Sequence, residues 1–184
     1  MHNPLLTTHY QCIMKVVFLF PTELEARAFR ELCPDAEVII SGVGMAESAA
    51  TLTRLQRSLN GGIVVLAGIA GAYGGRCHVG EVVEVTEEYI AELPERFRRS
   101  YRVKPYSGLR SVTSNTVCGC GAECGNADIE NMEGATLFAM GEVMGIRIVE
   151  IRAISNIVGE EFDKWDIPLA TNNLAKTLKR IFID

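Results

Sequence analysis

The sequence predicts an α/β domain, a central mixed and largely parallel sheet flanked by helices. Three observations predict it. Apolar, β-branched runs recur along the chain ("KVVFLF", "EVII", "GIVVLAG", "IRIVEIRAIS"), amphipathic stretches of helical period separate them, and glycine-rich turns follow several of the runs. In such a sheet, ligand sites lie beyond the carboxyl ends of the strands. With 184 residues, 48% of them apolar and 22% charged, the chain has the size and composition of one domain that buries about 70% of its unfolded surface.

Residues 1–13 read as a loose extension ahead of a start at Met14, so the domain is expected to span 14–184. The extension has no positive n-region followed by an apolar h-region, and no secretory signal is expected. Residues 15–20 form a buried strand by their β-branched and aromatic content. Residues 22–32 form a helix with Leu24, Ala28 and Leu32 on one face. "EVIISGVG" is strand then turn, 45–59 helix, "GIVVLAG" strand and "GEVVEVTEE" strand, while 87–110 is charged and irregular. "RSVTSNTV" predicts a short strand, 131–144 a helix, "IRIVEIRAIS" a strand, and 168–182 a closing helix with Pro168 in its first turn.

Composition excludes several classes of function. The net charge is −5, the pI is near 5.3, and Lys and Arg are scattered, so no basic footprint for nucleic acid or anionic lipid exists. The uncharged stretch Gly61 to Gly75 is shorter than the ~20 apolar residues a membrane span needs. A cytoplasmic protein with a small-molecule or protein partner is expected. The six cysteines, in a chain without a secretory signal, read as reduced thiols. "CGCGAEC" lacks C-x-x-C spacing and a nearby His, so no metal is expected. "SGVGMAE" has Glu47 where a dinucleotide fingerprint needs a third glycine, and no turn ends in Gly-Lys-Ser/Thr, so no cofactor is expected.

Two glutamates carry more information. Glu25 stands three residues after Thr22, which fits a capping box as well as a catalytic carboxylate. Glu133, between Met132 and the small residues Gly134 and Ala135, opens the 131–144 helix, where the helix dipole favours a carboxylate with or without a function. The turn "GIAGAYGG" lets backbone amides approach a ligand, or simply makes a tight connection.

"KVVFLFPTELEARAF", "ISGVGMAESAATLTRL", "VVLAGIAGAYGG", "HVGEVVEV", "ENMEGATLFAM" and "IRAISN" resemble, in order and spacing, the nucleoside phosphorylase and nucleosidase superfamily. The resemblance covers Lys15 to Asn156 and implies a nucleoside phosphorylase-like fold. Within the superfamily the chain looks like the hydrolases of methylthioadenosine and S-adenosylhomocysteine. With Asn156 and "WDIPLATNNL", it is most similar to the futalosine hydrolases of menaquinone biosynthesis. The implied function is hydrolysis of the N-ribosidic bond of a purine nucleoside, with water as co-substrate. The alternatives are a methylthioadenosine or adenosylhomocysteine nucleosidase, and a non-catalytic nucleoside binder. The family commonly assembles into oligomers, which implies a homo-oligomer.

Such cleavage passes through an oxocarbenium-like ribosyl cation. The resemblance carries water activation onto Glu25, the grip on the ribose onto Glu133 with Met132 against the sugar, and leaving-group stabilisation at N7 onto Asn156. A 6-oxopurine shows two adjacent acceptors, N7 and O6, which the two N–H groups of an amide suit; Asn156 therefore favours hypoxanthine, unless it only caps the turn after its strand. Gly68, Ile69, Ala70, Gly71 and Ser155, with Thr113, Asn115 and Thr116 of the short middle segment, are the candidates for base contacts. The benzoate of futalosine calls for a cation: Lys164, Arg110 or a residue of another subunit. Phosphorolysis is disfavoured because Arg76 stands alone and Glu25 repels phosphate.

Overall fold

The computed structural model describes residues 15–59, 61–121 and 125–184. The expected extension 1–13, the start at Met14, Cys12 and Cys124 lie outside the described residues. The strands are β1 (Val16–Phe20), β2 (Glu37–Ile40), β3 (Ile63–Ala72), β4 (Val82–Ile90), β5 (Tyr101–Arg102), β6 (Ser111–Thr116), β7 (Ile129–Asn131) and β8 (Arg147–Ile157). The helices are α1 (Glu23–Leu32), α2 (Met45–Leu59), α3 (Gly134–Met144) and α4 (Ile167–Phe182).

The sheet is mixed and largely parallel. β1 pairs in parallel with β2 and β3, β3 with β8, and β6 with β4 and β7; the antiparallel pairs are β3 with β7 and β4 with β5 and β8. Because β8 pairs with both β3 and β4, the strands β3, β7, β6, β4 and β8 close on themselves, and strands in a closed ring leave no free edge. One apolar layer joins Val64, Leu66, Ile148 and Ile154 to Leu52 of α2 and Leu137 of α3. The other joins Phe18, Val65 and Ile151 to Phe29 of α1 and Leu174 of α4. Both faces of β3 and most of β8 are thus covered, which is why these strands read as continuous apolar runs.

Three sequence expectations change. The helix predicted from residue 131 begins at Gly134, because Ile129–Asn131 is drawn into the sheet between β3 and β6. The strand predicted over "GEVVEVTEE" runs on to Ile90, with Glu88 fully buried, and the segment expected to be irregular from 87 onward also holds β5. The packed face of α1 is Ala26 and Phe29, with the Phe29 ring centroid 4.6 Å from that of Phe18. Leu24 and Leu32 lie exposed. Among the described residues, no helix is long and apolar enough to cross a membrane, Cys33 and Cys77 are buried free thiols, and Cys118 and Cys120 are exposed ones.

Candidate active site

The carboxyl ends of β1, β2, β3 and β8 and the starts of α1 and α3 surround a cavity of about 470 Å³. Its walls include Pro21, Thr22, Glu25, Ile69, Ala70, Gly71, Asn131, Met132, Glu133, Arg152, Ser155 and Asn156. Polar groups at one end and apolar side chains over most of the wall are the usual make-up of a small-molecule pocket.

Glu25 is positioned by the turn from β1 into α1. Thr22 is extended at the N-cap, and its Oγ1 accepts from Glu25 N at 3.3 Å. The reciprocal half of a capping box is missing, because the Glu25 carboxylate does not return to the Thr22 backbone. Thr22 Oγ1 donates to Glu25 Oε2 at 2.7 Å, and Ile69 N donates to Oε1 at 2.9 Å, which ties the carboxylate to β3. Burial pushes the Glu25 carboxyl above its ordinary range; the Ile69 and Thr22 hydrogen bonds and the charge of Arg152 pull it back, while Glu133 adds to the rise.

Glu133 is the N-cap residue of α3, yet its side chain makes no cap bond. Gly44 N donates to Oε1 at 2.9 Å, and Arg152 Nη2 donates to Oε2 at 3.0 Å. Gly44 turns its amide toward this carboxylate with φ at +88°, a left-handed conformation that favours glycine.

Arg152 is the residue that sequence reasoning missed. It is 1% exposed, its Nε donates to Glu150 Oε1 at 2.8 Å, and its Nη2 reaches Asn131 Oδ1 as well as Glu133, both at 3.0 Å. Burial opposes its charge, but Glu150 and Glu133 more than restore it and hold the guanidinium charged. A Cβ on Gly68 would stand 2.7 Å from Arg152 Nη1 and 2.9 Å from Glu25 Oε1, so the bare glycine lets cation and carboxylate face each other. The available signal was an arginine at alternate spacing from Glu150 inside the apolar run "IVEIRAIS": a charge that cannot be buried unless paired.

Asn156 lines the cavity beside Gly71, its Nδ2 lying 3.2 Å from where a Gly71 Cβ would be. Its Nδ2 donates to Ile157 O at 3.2 Å and its Oδ1 accepts from Ser155 Oγ at 2.8 Å. A carbonyl partner requires the NH2 on that side, which fixes the amide orientation and leaves one N–H uncommitted.

Of the expected base contacts, Ile69, Ala70, Gly71 and Ser155 line the cavity and Gly68 lies beneath it. Thr113, Asn115 and Thr116 do not line it. Thr113 Oγ1 serves Asn126 O and Asp128, Asn115 Nδ2 donates to Tyr73 OH, and Thr116 Oγ1 donates to Glu88; β7 lies between β6 and β3 in the sheet, and its Glu130 and Asn131 take the wall instead. Arg110 is committed to Glu81 and to Arg76 O, and Arg76 to Ala127 O, both away from the cavity wall. Sequence reasoning also missed Val117, Cys120 and Glu130 on the wall; Glu130 accepts from Gly121 N at 2.8 Å and from Tyr73 OH at 3.0 Å. The mouth is apolar: Leu24, Val43, Phe162, Trp165 and Ile167, with the Phe162 and Trp165 rings 5.1 Å apart. Lys164, between those two aromatics in sequence, is exposed and off the wall.

Residues 121–183 match the family described as the Phosphorylase superfamily. No curated protein matches the chain by sequence. The 5′-methylthioadenosine/S-adenosylhomocysteine nucleosidase of Helicobacter pylori, solved with butyl-thio-DADMe-Immucillin-A, is similar in structure with a TM-score of 0.79 at 15% identity, over 93% of this chain and 98% of that one. Native futalosine hydrolase of Helicobacter pylori strain 26695 also gives 0.79 at 15% identity, over 92% and 97%. The apo 5′-methylthioadenosine nucleosidase of Arabidopsis thaliana gives 0.78 at 16%, over 91% and 94%. The α/β fold is therefore that of the nucleoside phosphorylase and nucleosidase superfamily.

Proposed function

We propose that the pocket hydrolyses the N-ribosidic bond of a purine nucleoside, and that its substrate is futalosine, with hypoxanthine as the leaving base, in menaquinone biosynthesis. The observation that carries the reading is the convergence of Glu25 and Glu133 on one cavity, on either side of Arg152, with Asn156 on the same wall. Glu25, whose carboxyl is raised by burial, takes the proton from water as it attacks C1′. Thr22 and Ile69 N hold that carboxylate in place, and the charge of Arg152, facing it over Gly68, favours its ionised form. Glu133 uses one lone pair of each oxygen on Gly44 and Arg152, and the others are open to ribose hydroxyls. Its charge favours the ribosyl cation more than the ground state, and Met132 packs against the sugar.

Asn156 stabilises the departing base at N7 with its uncommitted N–H; reading O6 as well requires releasing Ile157 O. Water is preferred to phosphate because Arg152, the one cation among the described wall residues, is already held by Glu133 and Glu150. A homo-oligomer is part of this reading, as its second copy can supply the cation that the benzoate of futalosine requires. A methylthioadenosine or adenosylhomocysteine nucleosidase is the second reading, favoured by the apolar mouth around Phe162 and Trp165, which suits an uncharged thioether.

Incubation of the protein with futalosine, methylthioadenosine and inosine, with and without phosphate, decides between them by the base released. Phosphate dependence, or no release of any base, would reject hydrolysis. In Asn156→Asp the ratio of kcat/KM for futalosine to that for its 6-amino counterpart should fall, by about 1–3 kcal/mol for each buried group left unpaired. An unchanged ratio would remove Asn156 from base selection.

A further inference from the structure

Beneath the cavity lies a second pair of carboxyl groups that the proposed reaction does not use. Glu88 of β4 and Glu150 of β8 are both fully buried, side by side. They sit under Gly134, where any Cβ would collide with Glu88 Oε1 and Glu150 Oε2. Three of their four oxygens have donors. Thr116 Oγ1 donates to Glu88 Oε2 at 2.8 Å, Asn131 Nδ2 to Glu88 Oε1 at 2.5 Å, and Arg152 Nε to Glu150 Oε1 at 2.8 Å. The Asn131 amide is locked in this sense, because its Oδ1 accepts from Glu133 N, Gly134 N and Arg152 Nη2.

Glu150 Oε2 is the exception, a buried acceptor that no side-chain or backbone donor of the described residues reaches. An unsatisfied buried acceptor beside a second carboxylate is costly twice over, by lost hydrogen bonding and by like-charge repulsion. One proton removes both costs. A hydroxyl on Glu88 Oε1 keeps a lone pair for Asn131 Nδ2 while its hydrogen goes to Glu150 Oε2.

We propose that Glu88 is held as a carboxylic acid whose O–H donates to Glu150 Oε2, and that through Glu150 it fixes the Arg152 guanidinium between Glu25 and Glu133. Glu88 is then a positioning residue. The assignment of the proton stands on the cluster itself; its bearing on turnover rests on the hydrolase reading. The groups facing Glu88 are Glu150 and Arg152 from β8, the neutral Ser114 and Thr116 from β6, Asn131 from β7 and the start of α3 at Glu133, with Glu25 beyond Arg152. Burial, and after it the charge of Glu150, push the Glu88 carboxyl well above its ordinary range against the pull of Thr116, Asn131 and Arg152. A raised carboxyl contributes stability below its unfolded range and loses it as pH rises through the folded value.

The test compares Glu88→Gln and Glu88→Ala in the full chain. Glutamine cannot ionise and keeps a donor toward Glu150, though its NH2 gives up the Asn131 Nδ2 bond, leaving that amide to Ser114 Oγ. Glu88→Ala is expected to lower kcat by about tenfold or more with a smaller change in KM, and Glu88→Gln to restore most of it. Between about pH 5 and 9 the Tm of the wild type should decline more steeply than that of Glu88→Gln, and the infrared band of a protonated carboxyl seen at neutral pH should vanish in that variant. A Glu88→Gln variant that follows the wild-type Tm slope, or whose kcat is no better than that of Glu88→Ala, overturns the proposal. If the alanine variant does not fold, the glutamine variant against the wild type decides alone. A wild-type protein that turns over no nucleoside sinks the hydrolase reading and the positioning role with it, while the Tm and infrared series still decide where the proton sits.

Discussion

At the start of α1, Glu25 stands third after its N-cap and receives hydrogen bonds from a hydroxyl and a backbone N–H. At the start of α3, Glu133 is itself the N-cap residue and receives a backbone N–H and a guanidinium. Both carboxylates sit where a helix dipole favours them, and both turn away from their own helix into the same cavity. The difference lies in the partner. Glu133 is ion-paired with buried Arg152, whereas Glu25 has only neutral donors in direct contact, and burial raises its carboxyl. Similar helix starts thus yield one carboxylate fixed in an ion pair and one whose raised carboxyl suits it to exchanging a proton, which matches the division of labour proposed for them.

The most severe way to break this pair of roles is Glu133→Ala. It leaves the guanidinium of Arg152 buried without one of its two carboxylates, and removing one partner of a buried pair costs about 3–5 kcal/mol. Denaturant unfolding measures the loss; a change below about 1 kcal/mol would show that Glu150 alone satisfies Arg152.

Glu25→Gln should separate function from stability. Turnover is expected to fall ~10²-fold or more, about 2.7 kcal/mol in the barrier. Stability at neutral pH should hold or rise, since a raised carboxyl loses its contribution as pH climbs through the folded value and glutamine has no charge to desolvate. Full activity in that variant would leave Glu25 only a structural tie between α1 and β3. In the wild type, kcat should decline as pH is lowered through the raised Glu25 value, with an acid limb above the ordinary 4.5. A rate that is flat down to that ordinary value would show that the base is another group.

Thr22→Ala sharpens the comparison most gently. The lost N-cap bond should cost about 1 kcal/mol, read as a drop in Tm. The hydroxyl also pulls the Glu25 carboxyl down, so its removal should move the acid limb of kcat to higher pH. A limb that does not move would mean that Thr22 serves the helix alone.

By itself the sequence determined the fold class, the order of the long strands and helices, and the two glutamates at helix starts. Those features depend on local period and capping chemistry, which neighbouring residues carry. The strand at Ile129–Asn131, the end of β4 at Tyr89 and Ile90, and β5 are not legible locally, because a short strand held by its neighbours has no period of its own. Only the tertiary structure decided that Glu25 bonds Ile69 rather than completing its capping box, and that Thr113, Asn115 and Thr116 leave the cavity wall to Glu130, Val117 and Cys120. It also decided that Arg152 gathers Glu133, Glu150 and Asn131 around one guanidinium. Each of these contacts joins residues far apart in the chain or on different strands, and whether a buried charge is tolerated depends on which partners the closed sheet brings to it, a property that no local stretch of sequence contains.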